Sequence, residues 1–204
     1  MTVLLAGATG LVGSRVLGLR RDVVPVGRRA TGVAGEIVAD FAALPPLPPA
    51  LVAVSALGTT IRAAGSQTAF RAVDHDAVLA FARAAQAAGV RHFIVITAVG
   101  ANAASGVFYS RVKGEVEREL AALGFDRLDI VQPGLILGPR AERRPVEALF
   151  QRLAPLLNPL LIGGLGKYGG INGDAVARAV AVLCDRSEPG RFVHQNRGIA
   201  ALAT

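Results

Sequence analysis

The sequence predicts an α/β fold: a single parallel sheet, doubly wound by helices. Three observations predict it. Short apolar runs rich in valine and isoleucine alternate with alanine- and leucine-rich stretches of helical period. The run at 51–57 is strongly apolar, as a strand buried on both faces of a parallel sheet must be. The first run, from Val3, breaks into Gly7, Gly10 and Gly13 and passes directly into a helix that starts near Leu11. A chain of 204 residues suits one domain of this type. At this size roughly 70% of the unfolded surface is buried, enough for a real core. Residues 1–204 are therefore read as one domain, with 139–170 as a small cap on the substrate side.

The elements follow in order. The first helix spans 11–19, and Val23–Gly27 reads as the second strand. A short third strand covers 36–40. Pro45, Pro46, Pro48 and Pro49 then make a stiff surface connection. After the fourth strand at 51–57 comes a long helix, 66–88, with Gly89 as its stop. The fifth strand is 91–98, and a helix runs from Phe108 to near Leu123. The sixth strand is 127–131, followed by a helix at 146–157. Asp174 reads as the N-cap of a helix at 175–183. A last strand at 191–195 and a short helix at 198–202 close the chain.

Composition excludes several classes. The apolar stretches are broken by prolines and glycines, and none makes the roughly 20-residue span of a membrane helix. The net charge is +7, but only Lys113 and Lys167 are lysine and the arginines are scattered. With few aromatics to stack bases, this reads as a solvated basic surface with a pocket for an anionic ligand, not as a nucleic-acid interface. The single cysteine, Cys184, sits in an apolar helical run and reads as inert core. A first strand with no basic leader before it, and no membrane span, predict a cytoplasmic protein.

The glycine turn carries the first chemistry. Without Cβ atoms the backbone can approach a pyrophosphate closely, and a helix N-terminus offers unpaired N–H groups and the positive end of its dipole. Gly7, Thr9, Gly10, Leu11, Val12 and Gly13 are the candidate dinucleotide contacts. Such a turn can also serve packing alone. At the end of the second strand, which faces the adenosine ribose in such a unit, stand Arg28 and Arg29. An acid there would favour NAD, whereas a guanidinium can fork onto a 2′-phosphate. One charged hydrogen bond is worth roughly 1.5–3 kcal/mol, so a single contact gives about tenfold preference for NADP(H) over NAD(H). Asp40 is placed to touch the adenine; Leu57 leads into Gly58-Thr59-Thr60, a small-residue turn at the carboxyl edge of the sheet, where ligands of such folds lie, so that Leu57, Gly58 and Thr59 are candidate cofactor contacts, although the segment could equally be only a turn. Asp74, His75 and Asp76 hint at a metal, but no partner ligands converge, so none is expected and His75 reads as a surface or helix-packing residue. His92 reads as a solvated residue at the start of its strand, and Thr97 lies at the carboxyl edge.

Tyr109 and Lys113 are four residues apart and share one helix face. With Gly7-x-x-Gly10-x-x-Gly13 they resemble the short-chain dehydrogenase/reductase superfamily in its atypical or extended form. Leu57-Gly58-Thr59-Thr60, the segment 109–117 and the segment 125–145 resemble its Tat-interacting-protein-like, NAD(P)H-binding branch. The likeness runs through nearly the whole chain in the same order.

The resemblance implies roles. The tyrosine would exchange a proton with the substrate oxygen, and the lysine would bind the nicotinamide ribose and lower the tyrosine's pKa. A free phenol titrates near 10, so use near neutrality needs about 4 kcal/mol. A cation about 4 Å away supplies roughly that at an effective dielectric of 20. Pro133, in Gln132-Pro133-Gly134, would lead the chain over the nicotinamide, with 135–137 lining the pocket. One departure stands out. The superfamily's substrate-orienting serine follows the fifth strand, where this chain reads Ile96-Thr97-Ala98-Val99-Gly100. Thr97 could take that role, whereas a match to Ala98 would leave it vacant; Ser105 and Ser110 are fallback donors.

The leading expectation is an NADP(H)-dependent oxidoreductase acting on a small carbonyl or alcohol. The alternatives are a non-catalytic NADP(H)-binding sensor and, third, a nucleotide-sugar epimerase- or dehydratase-like enzyme, for which the region after Pro139 is short. Tyr168 reads as a surface or interface residue, with contact to substrate as the alternative, and the apolar stretch 153–165 as a surface for a second copy or a protein partner.

Overall fold

The computed structural model describes residues 2–138 and 169–204. Seven strands form one parallel sheet: β1 (Val3–Ala6), β2 (Val23–Gly27), β3 (Ile37–Val38), β4 (Val52–Ser55), β5 (His92–Ile96), β6 (Arg127–Gln132) and β9 (Gly190–Gln195). Their order is β3-β2-β1-β4-β5-β6-β9, so the direction of winding reverses between β1 and β4. That reversal opens the crevice in which doubly wound sheets hold ligands. β7 (Leu135–Leu137) and β8 (Gly170–Asn172) pair in parallel as a separate ribbon.

Side-chain alternation divides the core between the two faces of the sheet. Leu5, Val54, Ile94 and Val131 pack with Val16 of α1 (Leu11–Leu19), Val176 and Val180 of the helix Gly173–Leu183, and Ile199. Leu4, Ala53, Phe93 and Ile130 face the other way, toward Phe81 and Ala85 of the helix Ala77–Ala87 and Val116 and Leu120 of the helix Phe108–Ala122. Every residue of β1, β4, β5 and β6 is buried; β1 and β4 are almost wholly apolar, whereas the polar residues of β5 and β6 (His92, Arg127, Asp129, Gln132) are paired side chain to side chain.

The helices sharpen the expectations. A short α2 (Ile61–Ala64), capped by Thr60, was not foreseen. The expected helix at 66–88 is α3 (Gln67–Arg71), a π turn (Ala72–Asp76) and α4 (Ala77–Ala87), with Ser66 as cap. α5 is Phe108–Ala122, α6 is Gly173–Leu183 and α7 is Asn196–Leu202. Asn172, not Asp174, caps α6, by accepting the N–H of Asp174. The Asp174 carboxylate instead pairs with Arg15 of α1. The third strand is only Ile37–Val38, because Asp40 turns the chain by capping a 3-10 turn, Phe41–Ala43. The expected helix at 146–157, Lys167, Tyr168 and the 153–165 surface lie outside the described residues.

Candidate functional site

The glycine turn is a cradle in fact. Gly7 has φ +82°, and a Cβ there would stand 2.5 Å from the main chain of Ala56 at the end of β4. A Cβ on Gly13 would collide with the carbonyl oxygen of Gly7. So strand, turn and helix meet more closely than any side chain permits. Gly10 is the N-cap of α1; it carries no side-chain cap, and no acid lies in the first turn. Its own N–H goes to Gly7, 2.9 Å away, which leaves the N–H groups of Leu11, Val12 and Gly13 at the positive end of the helix. This donor set fits the pyrophosphate of a dinucleotide. The ribbon closes over the same helix start: Gly138 and Gly173 lie against Leu11.

Arg28 and Arg29 are exposed at the carboxyl end of β2. Arg29 donates to Thr9 Oγ1 at 3.1 Å, so its guanidinium stands over the glycine turn. The Asp40 carboxylate accepts the N–H of Ala42 at 2.9 Å as a cap. Leu57, Gly58 and Thr59 follow β4, and the Thr59 N–H donates to Asp74 Oδ2 at 2.8 Å.

Two rungs join α5 to the segment before α4. The Tyr109 ring, half-buried, lies 5.5 Å from that of Phe70. One turn on, the Lys113 ammonium stands 2.7 Å from Asp74 Oδ1, with the two side chains only 5% and 1% exposed. Burial pushes the Asp74 carboxyl above the ordinary aspartate range, against the pull of Lys113 and of the Thr59 N–H. Gly114 holds α5 in place: a Cβ there would strike the backbone of Asn102 and Ala103.

A third turn of the same α5 face carries Glu117. Thr97 Oγ1 donates to Glu117 Oε1 at 2.5 Å, and Gln132 Nε2 donates to both carboxylate oxygens at 2.9 and 3.0 Å. All three residues are buried. Burial raises the Glu117 carboxyl, and the donors from Thr97 and Gln132 oppose it. The Thr97 hydroxyl is thus committed to Glu117, and Ala98 beside it has none. Pro133 is buried, and its carbonyl accepts the N–H of Val99 at 3.0 Å, joining the ends of β6 and β5. Ser105 Oγ accepts the N–H of Val107 ahead of α5.

Sequence reasoning did not select Asp74 or Glu117 for this site. Glu117 carried a signal, since Tyr109, Lys113 and Glu117 repeat at a spacing of four. Asp74 was visible only as part of an Asp/His cluster, and its partner Lys113 lies on a different helix.

His92 corrects the expectation of a solvated strand end. It is buried, and its Nε2 lies 2.7 Å from Asp129 Oδ2. Asp129 also receives Arg127 at 2.6 Å and His194 at 2.6 Å. Burial alone would raise the Asp129 carboxyl, but His194, His92 and Arg127 together hold it well below the usual range. Cys184 is buried and its thiol is pushed up to about 12, as inert core requires. Among the described residues no group of His, Cys, Asp or Glu could hold a metal, and no helix is long and apolar enough to cross a membrane.

No family model matches the sequence. Curated relatives do. "Protein fmp52, mitochondrial" of Aspergillus fumigatus is 35% identical over 199 residues, which cover 87% of this chain and 84% of that one. "Protein HTATIP2" of Rattus norvegicus is 38% identical over 168 residues, 74% of this chain and 69% of that one. The chain belongs to the HTATIP2/fmp52 family. Solved structures bear out the fold. Human epimerase family protein SDR39U1 with NADPH aligns with a TM-score of 0.69 at 20% identity, over 99% of this chain and 80% of that one. MoeE5 in complex with UDP-glucuronic acid and NAD aligns with a TM-score of 0.72 at 21% identity, over 95% and 75%.

The fmp52 names correct the expectation of a cytoplasmic protein, since these relatives are described as mitochondrial. Composition and the lack of a long apolar span do not encode a compartment.

Proposed function

We propose that this HTATIP2/fmp52-family chain is an NADP(H)-dependent oxidoreductase acting on a small carbonyl or alcohol. The observation that carries the reading is Tyr109 one helical turn from a buried, ion-paired Lys113 on α5, a helix packed against the sheet that presents the glycine cradle. A nicotinamide dinucleotide supplies the hydride when bound. The backbone N–H groups of Leu11, Val12 and Gly13 hold its pyrophosphate, and Arg28 and Arg29 take the 2′-phosphate. Tyr109 gives its phenolic proton to the substrate oxygen in reduction and takes one back in oxidation. Lys113 stabilises the phenolate that results. The NADPH of the SDR39U1 complex supports the preferred cofactor by analogy of fold.

A broad panel of carbonyl compounds with NADPH tests the reading. The parent protein reduces members of the panel, and Tyr109→Phe lowers kcat/KM by about a hundredfold or more, the scale of a general acid. Full activity in Tyr109→Phe would end the catalytic assignment.

One observation favours a second reading, a non-catalytic NADP(H) sensor. The Thr97 hydroxyl donates to Glu117 and Ala98 offers no donor, so the strand end supplies no hydroxyl to orient a substrate. Tight NADPH binding with no reduction across the panel would decide for it.

A further inference from the structure

The lysine beside Tyr109 is not an isolated charge. Its ammonium and the Asp74 carboxylate form a pair with no net charge, 2.7 Å apart and shut off from water. Asp74 lies under the turn at 57–60: its Oδ2 takes the Thr59 N–H at 2.8 Å, and a Cβ on Gly58 would stand 3.6 Å from its Oδ1. The π turn at Ala72–Asp76 brings both Asp74 and His75 inward against α5, one to Lys113 and the other to Glu119. π turns of this kind recur at functional sites.

The neighbouring charges compensate one another. Arg71 pairs with Glu115, His75 lies between Asp76 and Glu119, and Glu117 is held by Thr97 and Gln132. Asp74 is therefore the charge set directly against Lys113.

We propose that Asp74 is a positioning residue that clamps Lys113 and offsets its charge, so that Tyr109 stays protonated while the ion pair is intact. The same carboxylate ties Lys113 to the turn at 57–60, so a dinucleotide engaging that turn reaches the lysine through Asp74. This rests on the reading of Tyr109 as the proton-exchanging group. It differs from a purely structural ion pair in one respect: the acidity of Tyr109 must follow the charge at position 74.

That acidity can be read directly. The chain has 2 tyrosines, and Tyr168→Phe leaves Tyr109 as its only one. In that background the near-ultraviolet absorbance of tyrosinate is followed against pH, without dinucleotide. Asp74→Asn is expected to lower the midpoint by about one pH unit, because the charge of the lysine one helical turn from Tyr109 is unmasked. Lys113→Met is expected to raise it, and the double variant to return close to the parent. Asp74→Ser, which keeps an acceptor and leaves room for water, is a second neutral variant should Asn fold poorly. If neither variant folds alone, the double variant, which leaves neither charge unpaired, is compared with the parent. A midpoint displaced by as much as a full charge would then overturn the offset. An unmoved midpoint in a folded Asp74→Asn or Asp74→Ser chain overturns it outright. NADPH titration of the parent is run alongside. Absence of binding there strikes the reading of the site itself, whereas an unmoved midpoint with NADPH bound strikes only the role of Asp74.

Discussion

Asp129 on β6 and Glu117 on α5 are both buried carboxylates, yet their surroundings push them in opposite directions. Asp129 meets Arg127, His92 and His194, donors from three adjacent strands, and is held strongly acidic. Glu117 meets only a hydroxyl and an amide, and burial prevails. The difference separates fastening from function. Around Asp129 the charges are matched so that the last strand, β9, is tied to β6 and β5. On the α5 face, groups are buried with weaker compensation, which keeps their protonation open to change.

The sharpest break of this comparison is at the hub. Asp129→Asn leaves the buried Arg127 with only the exposed Glu188 as its carboxylate partner and is expected to cost about 3–5 kcal/mol in chemical denaturation at neutral pH. A loss below that of a surface substitution would show that Asp129 fastens nothing. The acid side follows in sign. The folded value of Asp129 lies below the unfolded one, so its contribution is present above the ordinary aspartate value of about 4 and is lost as pH falls below it. Denaturation midpoints measured downward from neutrality should fall in the parent and fall less in Asp129→Asn.

Next comes the cradle. Gly13→Ala must push the Gly7 carbonyl away from α1, displacing the N–H groups that would receive the pyrophosphate. NADPH affinity is expected to drop roughly 10–100-fold, about 1.4–3 kcal/mol, by fluorescence titration. Unchanged affinity would make the turn a packing device. Arg29→Ala is more selective, with about a tenfold loss for NADPH and none for NADH. Equal losses for both would remove the 2′-phosphate argument.

The smallest effect is at Glu117. Its folded value is raised, so its ionisation costs stability as pH rises through that value. Glu117→Gln keeps an acceptor for Thr97 and should change stability by about 1 kcal/mol or less at neutral pH, while flattening the decline above the ordinary glutamate range. A large loss would place Glu117 with Asp129 among the fasteners.

Much of this could be read in advance. β-branched runs, helix stops and the glycine spacing are local, and local sterics set them. Gly7, Gly10 and Gly13 therefore predicted the cradle, and Tyr109 with Lys113 predicted a shared face from a spacing of four alone. The failures were of another kind. His92 looked solvated because polarity at a strand start usually means water, and its partners lie at 129 and 194, far along the chain. At Thr97 and Ala98 the sequence left open which position would hold the substrate-orienting hydroxyl, and the partner of the Thr97 hydroxyl, Glu117, could be found only in the folded chain.

The sequence by itself determined the doubly wound sheet, the glycine turn, the arginines at the end of β2 and the Tyr109–Lys113 face, because each depends on a backbone period or a short-range steric rule. Only the tertiary structure decided which charges meet. Asp74 reaches Lys113 because the π turn that carries it packs against α5, and Asp129 gathers its partners because three strands pair in register. Coulomb energy depends on distance and burial, and neither is written in the spacing of residues along the chain.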